Sequence, residues 1–380
     1  MTIHPLRRSH DVGHAQRALA EVVLPRLREF AIEDDAKGVY PSEGMDLLRR
    51  AGLLAAVLPP AKGGEGLGWI PSGMPMLFDV LTGIGGAHLS LARLYEGHVN
   101  AFALLWTHGD EAQRGRLVDY VSGGGVMGVW NAPSPDGPVR LVGDGQRLVL
   151  RGRKIYCSGA GDLRRPLVTA ERDGELLMAW PDVSNARVDL SGWKVHGMRA
   201  TMTGTVDFDG VEVRHEDLFG KHDDYHRQPA FSAGAWRFVA AQLGAAAALV
   251  DLMRDSLSVT RRDGDPYQRA RLADAAMLVE TARLWTWGAA KRAETVDVAV
   301  DDAIAYVGMA RLTVERASME IIDLAQRSLG LRSMMTGDPV ERIARDLATY
   351  LRQPVPDAIR DGVAGRVLAK GLPLLECWAT

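Results

Sequence analysis

The sequence predicts an α+β protein with a helical N-terminal domain (1–122), a middle β-sheet or barrel domain (123–225) and a C-terminal four-helix bundle (226–380). Two observations predict this class. Apolar residues recur with helical spacing in the first and last thirds of the chain, and short β-rich runs separated by Gly and Asp fill the middle third. A chain of 380 residues is long enough for several domains or for one large multi-layer unit.

The individual elements follow from these patterns in chain order. Apolar periodicity predicts N-terminal helices at 15–30, 42–58 and 74–108, with a break in the third near Gly83 to Gly86. Runs of β-branched and aliphatic residues predict strands at 147–151, 166–170, 175–180, 204–208 and 211–213. The long amphipathic stretches after Pro229 predict bundle helices at 232–259, 266–294, 298–329 and 356–369.

Composition excludes several classes of protein. Apolar residues make up 47% of the chain, and 45 Lys and Arg against 48 Asp and Glu give a net charge of -3. This balance excludes a disordered chain and favours neither nucleic acid nor an acidic membrane surface as a partner. Two cysteines, Cys157 and Cys377, cannot build a disulfide framework or a CxxC metal site. Residues 1–8 lack the apolar core of a signal peptide, and the apolar run 238–253 is too short to span a membrane. We therefore expect a cytoplasmic protein.

Four local motifs occur in an informative order. They are PPAKGGEGLG at 59–68, KIYCSGA at 154–160, GMRATMTGTVDFDGV at 197–211 and PVERIARD at 339–346. In this order and spacing they resemble the acyl-CoA dehydrogenase family of flavoproteins, over roughly residues 15 to 360. The resemblance implies that FAD binds between the β domain and the C-terminal bundle.

The resemblance also implies which residues of the β domain hold the flavin. The inferred contacts are Trp130, Asn131, Tyr156, Ser158, Arg199 and Thr201. Asn131 offers a donor and an acceptor to the polar edge of the ring, while the Ser158 hydroxyl and the Tyr156 ring keep the chemistry of the family's second segment. Side chains alternate along a strand, so Cys157 should point to the opposite face as a small core residue.

In relatives, bundle residues reach the cofactor of a neighbouring subunit, which implies a homodimer or homotetramer. The matching positions here are Arg262, Gln326, Arg327 and Gly330. The family's Phe-Gly turn after the arginine is missing, so FMN is possible in place of FAD. The charged residues at 341–346 fall at helical spacings and are interpreted as a structural ion-pair cluster.

Both usual positions of the catalytic base are missing. Removing the α-proton of an acyl thioester needs a carboxylate, but Gln353 or Pro354 occupies the family's usual position. The alternative position, just before Arg237, holds Trp236. Three residues are candidate replacements in catalysis. They are Glu96 and His98 in the stretch 94–100, and Asp357 about one helical turn beyond the usual base.

Three functions remain open from the sequence. The first is α,β-dehydrogenation of an acyl thioester with a relocated base. The second is a flavin-dependent monooxygenase or oxidase of the same fold, in which a histidine such as His98 assists at the flavin edge and no α-proton base is needed. The third is a flavin-fold protein without catalysis. Helical geometry turns His98 by about 200° from Glu96, so we expect only one of the two to face the flavin.

Overall fold

The computed structural model describes residues 19–143 and 147–378. The helices of the N-terminal segment are α1 (Leu24–Lys37), α2 (Ser42–Arg50), α3 (Met74–Ala87), α4 (Leu89–His108) and α5 (Glu111–Ser122). The predicted helix at 42–58 ends early, at Arg50. Residues 15–18, the start of the first predicted helix, lie outside the described residues.

The junction between α3 and α4 lies at His88 rather than at the predicted glycines. Nδ1 of His88 accepts a hydrogen bond from the backbone N–H of Leu91 at 3.4 Å, so the side chain caps the start of α4. Its Nε2 lies 3.0 Å from the carboxylate of Asp34 on α1. The cap and the cross-link fix the corner, whereas the glycines lie inside α3.

The middle segment is made of two sheets. Its strands are β1 (Val129–Trp130), β2 (Arg140–Gly143), β3 (Leu148–Arg151), β4 (Arg153–Cys157), β5 (Leu167–Arg172), β6 (Glu175–Ala179), β7 (Arg187–Asp189), β8 (Gly204–Asp207), β9 (Val211–Val213) and β10 (Leu218–Phe219). The larger sheet has the order β10-β6-β5-β2-β3-β9, with β1 parallel to β5. The smaller sheet has the order β4-β8-β7. The five predicted strands are present, and β1, β2, β4, β7 and β10 lie outside the predicted ranges.

The C-terminal segment is helical, as predicted. Its helices are α6 (Ala230–Ala233), α7 (Trp236–Val259), α8 (Pro266–Ala293), α9 (Val300–Leu329), α10 (Pro339–Tyr350) and α11 (Pro356–Lys370). Helices α7, α8 and α9 pack on one another, α11 packs on α9, and α10 packs on α7. Within the described residues, the stretch Ala230–Val259 is long and apolar enough to cross a membrane by length and composition alone, but 61% of its apolar window is buried in the protein. We interpret it as a core helix.

Helices α3 and α7 cross with their backbones in contact. A Cβ atom on Gly244 of α7 would lie 2.0 Å from the carbonyl oxygen of Thr82, and one on Gly85 of α3 would lie 2.2 Å from that of Ala241. Only glycine allows an approach this close. The N-terminal helices and the C-terminal bundle therefore share one apolar core, and one cluster of buried residues runs through both.

Candidate active site

Strand β4 ends in an irregular turn that displays an aromatic side chain. The pairing of β4 with β8 shifts between Lys154 and Cys157, and Tyr156 has φ of 54° with 66% of its surface exposed. Cys157 is fully buried on the opposite face, as predicted, and burial raises the pKa of its thiol to about 12. Cys157 is therefore a core residue, whereas Tyr156 offers an open ring face.

A cluster of hydroxyl groups lies directly after Tyr156. The Thr203 hydroxyl donates to Oγ of Ser158 at 3.3 Å, and Oγ1 of Thr201 lies 2.8 Å from Oγ1 of Thr203. Thr201 is buried and its hydroxyl donates to the Met198 carbonyl, so it supports the cluster from behind. Thr203, not Thr201, is the threonine beside Ser158. The sequence analysis did not single out Thr203. The signal that could have found it is its position two residues after Thr201, just before the strand that pairs with β4.

Asn131 and Trp130 flank this cluster at the end of β1. The indole of Trp130 is 1% exposed and donates to the Ser158 carbonyl at 2.9 Å, so the expectation that this side chain contacts a cofactor is corrected to a supporting role. Asn131 is half-buried, and its Oδ1 accepts from the Thr169 hydroxyl at 2.6 Å. Its carbonyl accepts from Lys154, whose pKa burial lowers to about 8. These bonds fix the amide and leave its Nδ2 directed away from Thr169.

Helix α4 lies between the β domain and the bundle. Gly97 faces the sheet, where an added Cβ would lie 3.8 Å from Cα of Gly128, and the Leu94 side chain packs against Gly159, next to Ser158. Glu96 lies on another face and has bundle residues as neighbours. One helix thus forms a wall of the Ser158 region and also carries a second set of polar groups.

The second set is a buried network centred on Glu96, which is 2% exposed. Its carboxylate forms an ion pair with Arg93 and accepts from the amide of Asn100. The side-chain oxygen Oδ1 of Asn100 in turn accepts from Arg237 at 3.0 Å, and Arg237 pairs with Glu294 at 3.0 Å. Both carboxylates of the network are therefore neutralised by arginine. Arg93 alone keeps a substantial exposure, 31% of its side chain.

Tyr350, at the end of α10, closes this network from the bundle side. Its hydroxyl is buried near Arg93 and Glu96, and burial together with the Glu96 charge raises its pKa above the ordinary value. Among the described residues, that oxygen has no hydrogen-bond partner of good geometry.

His98 points away from Glu96, as helical geometry predicted, but towards the N-terminal helices. Its Nε2 lies 2.9 Å from the Leu54 carbonyl, and its Nδ1 accepts from the Met127 N–H at 3.2 Å. The side chain has no exposed surface. Both ring nitrogens are thus occupied by backbone groups, and the expectation that His98 faces a flavin is corrected to a structural role.

Burial should make the protein sensitive to acid through His98. It lowers the pKa of His98 from 6.5 to about 4, so the unfolded chain binds this proton at higher pH than the folded chain does. Stability from this residue is fully present above pH 6.5 and falls by about 3 kcal/mol as the pH drops to about 4. In His98→Gln, urea unfolding should show a flatter decline across this window. An unchanged decline, equal to that of the exposed control His196→Gln, would contradict the assignment.

Asp357 does not lie in a buried site. Its side chain is 94% exposed and pairs with Arg360, one turn along α11. The family's base position lies just before it, where Gln353 donates to the Tyr350 carbonyl at 2.8 Å and the Pro354 carbonyl accepts from Arg311. The expectation of Asp357 as a relocated base is corrected, because an exposed carboxylate in water cannot be positioned against a buried substrate.

The predicted phosphate contacts at the end of α9 bond within the bundle. Arg262 donates to the Ser328 carbonyl at 3.3 Å, and the Arg327 guanidinium pairs with Asp323 at 2.7 Å on the surface. Gln326 is half-buried beside Arg327. Gly330 has φ of 65° and ψ of -145°, a conformation that favours glycine, with open space around it. The roles of these residues at a neighbouring subunit stay predictions.

The charged residues of α10 form the predicted ion-pair cluster. Arg345 bonds Asp35 of α1 at 2.7 Å and also pairs with Glu341. Asp346 accepts from the Met198 N–H at 2.5 Å and lies 3.7 Å from Arg342. This cluster ties α1, α10 and the 198–203 loop together, and so it holds the hydroxyl cluster in place.

The end of β4 fits the polar edge of a flavin. Within a few residues it presents an exposed aromatic ring, two neighbouring hydroxyls and an amide held by its own partners. Donors and acceptors that are fixed in this way suit recognition of a planar heterocycle with alternating polar atoms. Arg199 lies farther along the same loop, with one guanidinium nitrogen 3.5 Å from the Ala36 carbonyl.

Comparison with known proteins agrees with this fold. The family model for the acyl-CoA dehydrogenase C-terminal domain matches residues 227–351. The chain is 28% identical to L-evernosamine nitrososynthase of Micromonospora sp., over 91% of this chain and 88% of that one. It is 29% identical to dibenzothiophene monooxygenase of Rhodococcus erythropolis, over 53% of this chain and 51% of that one.

Solved structures show the same architecture. FMN-bound TdsC from Paenibacillus sp. A11-2 superposes with a TM-score of 0.84 and 21% identity, covering 96% of this chain and 100% of that one. At this identity the likeness shows the fold alone. The helical, β and helical segments, the matching C-terminal model and these relatives lead to one conclusion: residues 227–351 form an acyl-CoA dehydrogenase C-terminal domain, and the chain has the acyl-CoA dehydrogenase-like fold.

Proposed function

We propose that the protein is a flavin-dependent monooxygenase that transfers one atom of dioxygen to a small organic substrate. The observation that carries this proposal is the absence, among the described residues of the site, of a carboxylate suited to remove an α-proton. Glu96 and Glu294 are paired with arginines, and Asp357 lies on the surface. The nitrososynthase and the dibenzothiophene monooxygenase among the relatives support the same choice.

Dehydrogenation of an acyl thioester places a stricter demand on the site. The base must lie opposite the flavin and accept a proton there. Glu96 is engaged by Arg93 and Asn100, so protonating it would break an ion pair and a hydrogen bond inside the protein. Oxygenation needs no such base, and for that reason we rank it above dehydrogenation.

The chain's own residues would bind and orient the cofactor. Ser158 and Thr203 supply hydroxyls, Asn131 supplies an amide, and the Tyr156 ring supplies a stacking face. When bound, reduced flavin supplies two electrons to dioxygen, so that one oxygen atom enters the substrate and the other leaves as water. The apolar wall of α4 beside Ser158 keeps bulk water from this region.

FMN suits the chain better than FAD. The residues that would grip an adenine half in relatives are used internally: Arg262 donates to the Ser328 carbonyl, and the side chains of Ser328 and Gln268 bond to each other at 2.6 Å. When the side-chain amide of Gln268 is turned so that its nitrogen donates to Ser328, its oxygen also accepts a hydrogen bond from Arg262. Recruiting these groups to an adenine would break buried hydrogen bonds. FMN-bound TdsC provides an example of this fold with the shorter cofactor.

The proposal predicts opposite responses to two reagents. Oxidised FMN bound to the protein should keep its visible absorbance when butyryl-CoA is added without oxygen, because no base removes the α-proton. With FMN, a flavin reductase, NADH and oxygen, the protein should oxygenate a substrate from a panel of aromatic thioethers and amines. Ser158→Ala should lower this rate by about 10-fold to 100-fold through loss of a hydrogen bond of about 1–3 kcal/mol.

Two controls sharpen this experiment. Ser184→Ala removes an exposed serine of the same β domain, outside the loop 190–203, and should leave the rate unchanged. Glu96→Gln tests the competing function, since loss of a positioned base slows dehydrogenation by about 100-fold or more. Suppose that butyryl-CoA bleaches the flavin of the unmodified protein but not that of Glu96→Gln. This result would overturn the monooxygenase proposal and favour an acyl thioester dehydrogenase.

A further inference from the structure

A cavity of about 660 Å³ opens on the side of the β domain that faces α1 and α10. Its walls are the end of α1 at Lys37 and Gly38, the loop 190–203, and the Glu341 and Arg345 side of α10. The volume lies within the range of sites for small organic molecules. We call it the basic cavity, because of the charges described next.

The cavity carries more positive charge than its neighbours neutralise. Glu341 is the carboxylate that lines it, and Arg345 already pairs with Glu341. Lys194, His196 and Arg199 have no carboxylate partner within the described residues, although most arginines of this chain are in ion pairs. Lys194 and Arg199 are permanent cations, and the planar guanidinium of Arg199 carries several hydrogen-bond donors. Both side chains therefore face the cavity without a carboxylate partner. Such a pair suits a phosphate dianion.

Apolar surface lies beside these cations. Trp193, Leu190 and Met202 line the same cavity, and the indole of Trp193 is held in place because its N–H donates to the Met198 carbonyl at 3.2 Å. A fixed aromatic face next to cations favours an organic phosphate over a free ion. The cavity is also larger than a free phosphate requires.

The basic cavity adjoins the proposed flavin site through Thr203. Thr203 lines the cavity, and its hydroxyl donates to Oγ of Ser158 at 3.3 Å. Resting on the proposed function, we infer that the basic cavity binds the phosphate group of a phosphate ester through Arg199 and Lys194. The ester is either the flavin mononucleotide itself or a phosphorylated substrate bound beside it, and the chemistry of recognition is the same in both cases.

Binding measurements on the full chain separate these two sources. The double variant Arg199→Met and Lys194→Met is compared with Lys62→Met, which removes an exposed lysine elsewhere. Loss of two charge-assisted bonds should weaken phosphate binding by about 10-fold to 100-fold or more. If the flavin is the source, FMN affinity falls in the double variant while riboflavin affinity does not. If a second ligand is the source, FMN affinity holds and ADP affinity, followed by Trp fluorescence, falls.

One result overturns the inference. The double variant would bind FMN, riboflavin and ADP with the same affinities as Lys62→Met and the unmodified protein do. Failure of the proposed function gives a different result. A protein that binds ADP through Arg199 and Lys194 but binds no flavin would keep this inference and remove the monooxygenase. Circular dichroism spectra of the two variants should coincide, since Lys62 and Lys194 are exposed and Arg199 is half-buried.

Discussion

Gly244→Ala should lower the free energy of unfolding by about 3 kcal/mol. The new methyl group would lie 2.0 Å from the carbonyl oxygen of Thr82 and 2.9 Å from the backbone nitrogen of Gly86. Both contacts are with backbone atoms, so no side-chain rotation can relieve them and α3 must move away from α7. Overpacking of this kind costs about 1–3 kcal/mol and sometimes more, which exceeds the gain of up to about 1 kcal/mol from alanine's higher helix propensity. Urea denaturation measures the difference.

Gly115→Ala is the matched control. Gly115 lies inside α5, and a Cβ added there would have no neighbour within 4 Å. The same substitution should therefore stabilise the protein, by roughly 0.5–1 kcal/mol. Opposite signs for the two variants would establish that backbone contact decides the outcome. A Gly244→Ala protein as stable as the control would show that the helices do not cross as closely as described.

Asp346→Ala should destabilise the protein by about 3–5 kcal/mol. The substitution leaves the buried guanidinium of Arg342 without its carboxylate and leaves the Met198 N–H without an acceptor. An uncompensated buried charge is among the most costly defects in a protein interior. The loop that carries Thr203 begins at this contact, so FMN affinity should fall as well. Thermal unfolding and a flavin titration measure the two effects.

A double variant distinguishes the loss of charge balance from the loss of packing. Arg342→Met combined with Asp346→Leu removes both charges and should recover much of the stability, because replacing a buried pair by apolar residues is often neutral. Arg254→Ala, which removes an exposed arginine paired with Asp251, should change stability by less than about 1 kcal/mol. A double variant no more stable than Asp346→Ala would contradict the charge argument.

Long periodic segments could be predicted closely from the sequence. Helix α8 begins at Pro266 and ends at Ala293, close to the predicted 266–294, because Asp265 caps its start, Pro266 suits the first turn and Lys291 and Arg292 lie in the last turn. Short strands could not be predicted. Strand β1 has two residues, Val129 and Trp130, and exists only because β5 pairs beside it. Such pairing depends on contacts distant in sequence, which local propensity does not report.

Some residues of the candidate site could likewise be predicted from the sequence, and others could not. Tyr156 and Ser158 could be placed because the motif at 154–160 resembles the family's second flavin segment, and the alternation of a strand placed Cys157 on the opposite face. His98 could not, since its role depends on Leu54 and Met127, residues that no periodicity links to it. Glu96 could be placed on one face of α4 with Asn100, and its pair with Arg93 follows the spacing of three residues along the same helix. Partners on other elements decided the role of His98, whereas partners on its own helix decided that of Glu96.

The glycine crossing of α3 and α7 also bears on how the chain reaches its fold during synthesis. Gly85 and Ala241 are 156 residues apart (241 minus 85), so the apolar face of α3 is synthesised well before the face of α7 that it packs against. At about 5–20 residues per second, a ribosome needs roughly 10–30 seconds to make that interval. Throughout it, the face of α3 around Leu81 and Ile84 has no bundle to cover it. A nascent chain halted before α7 should therefore bind a ribosome-associated chaperone, whereas the released full-length chain should not.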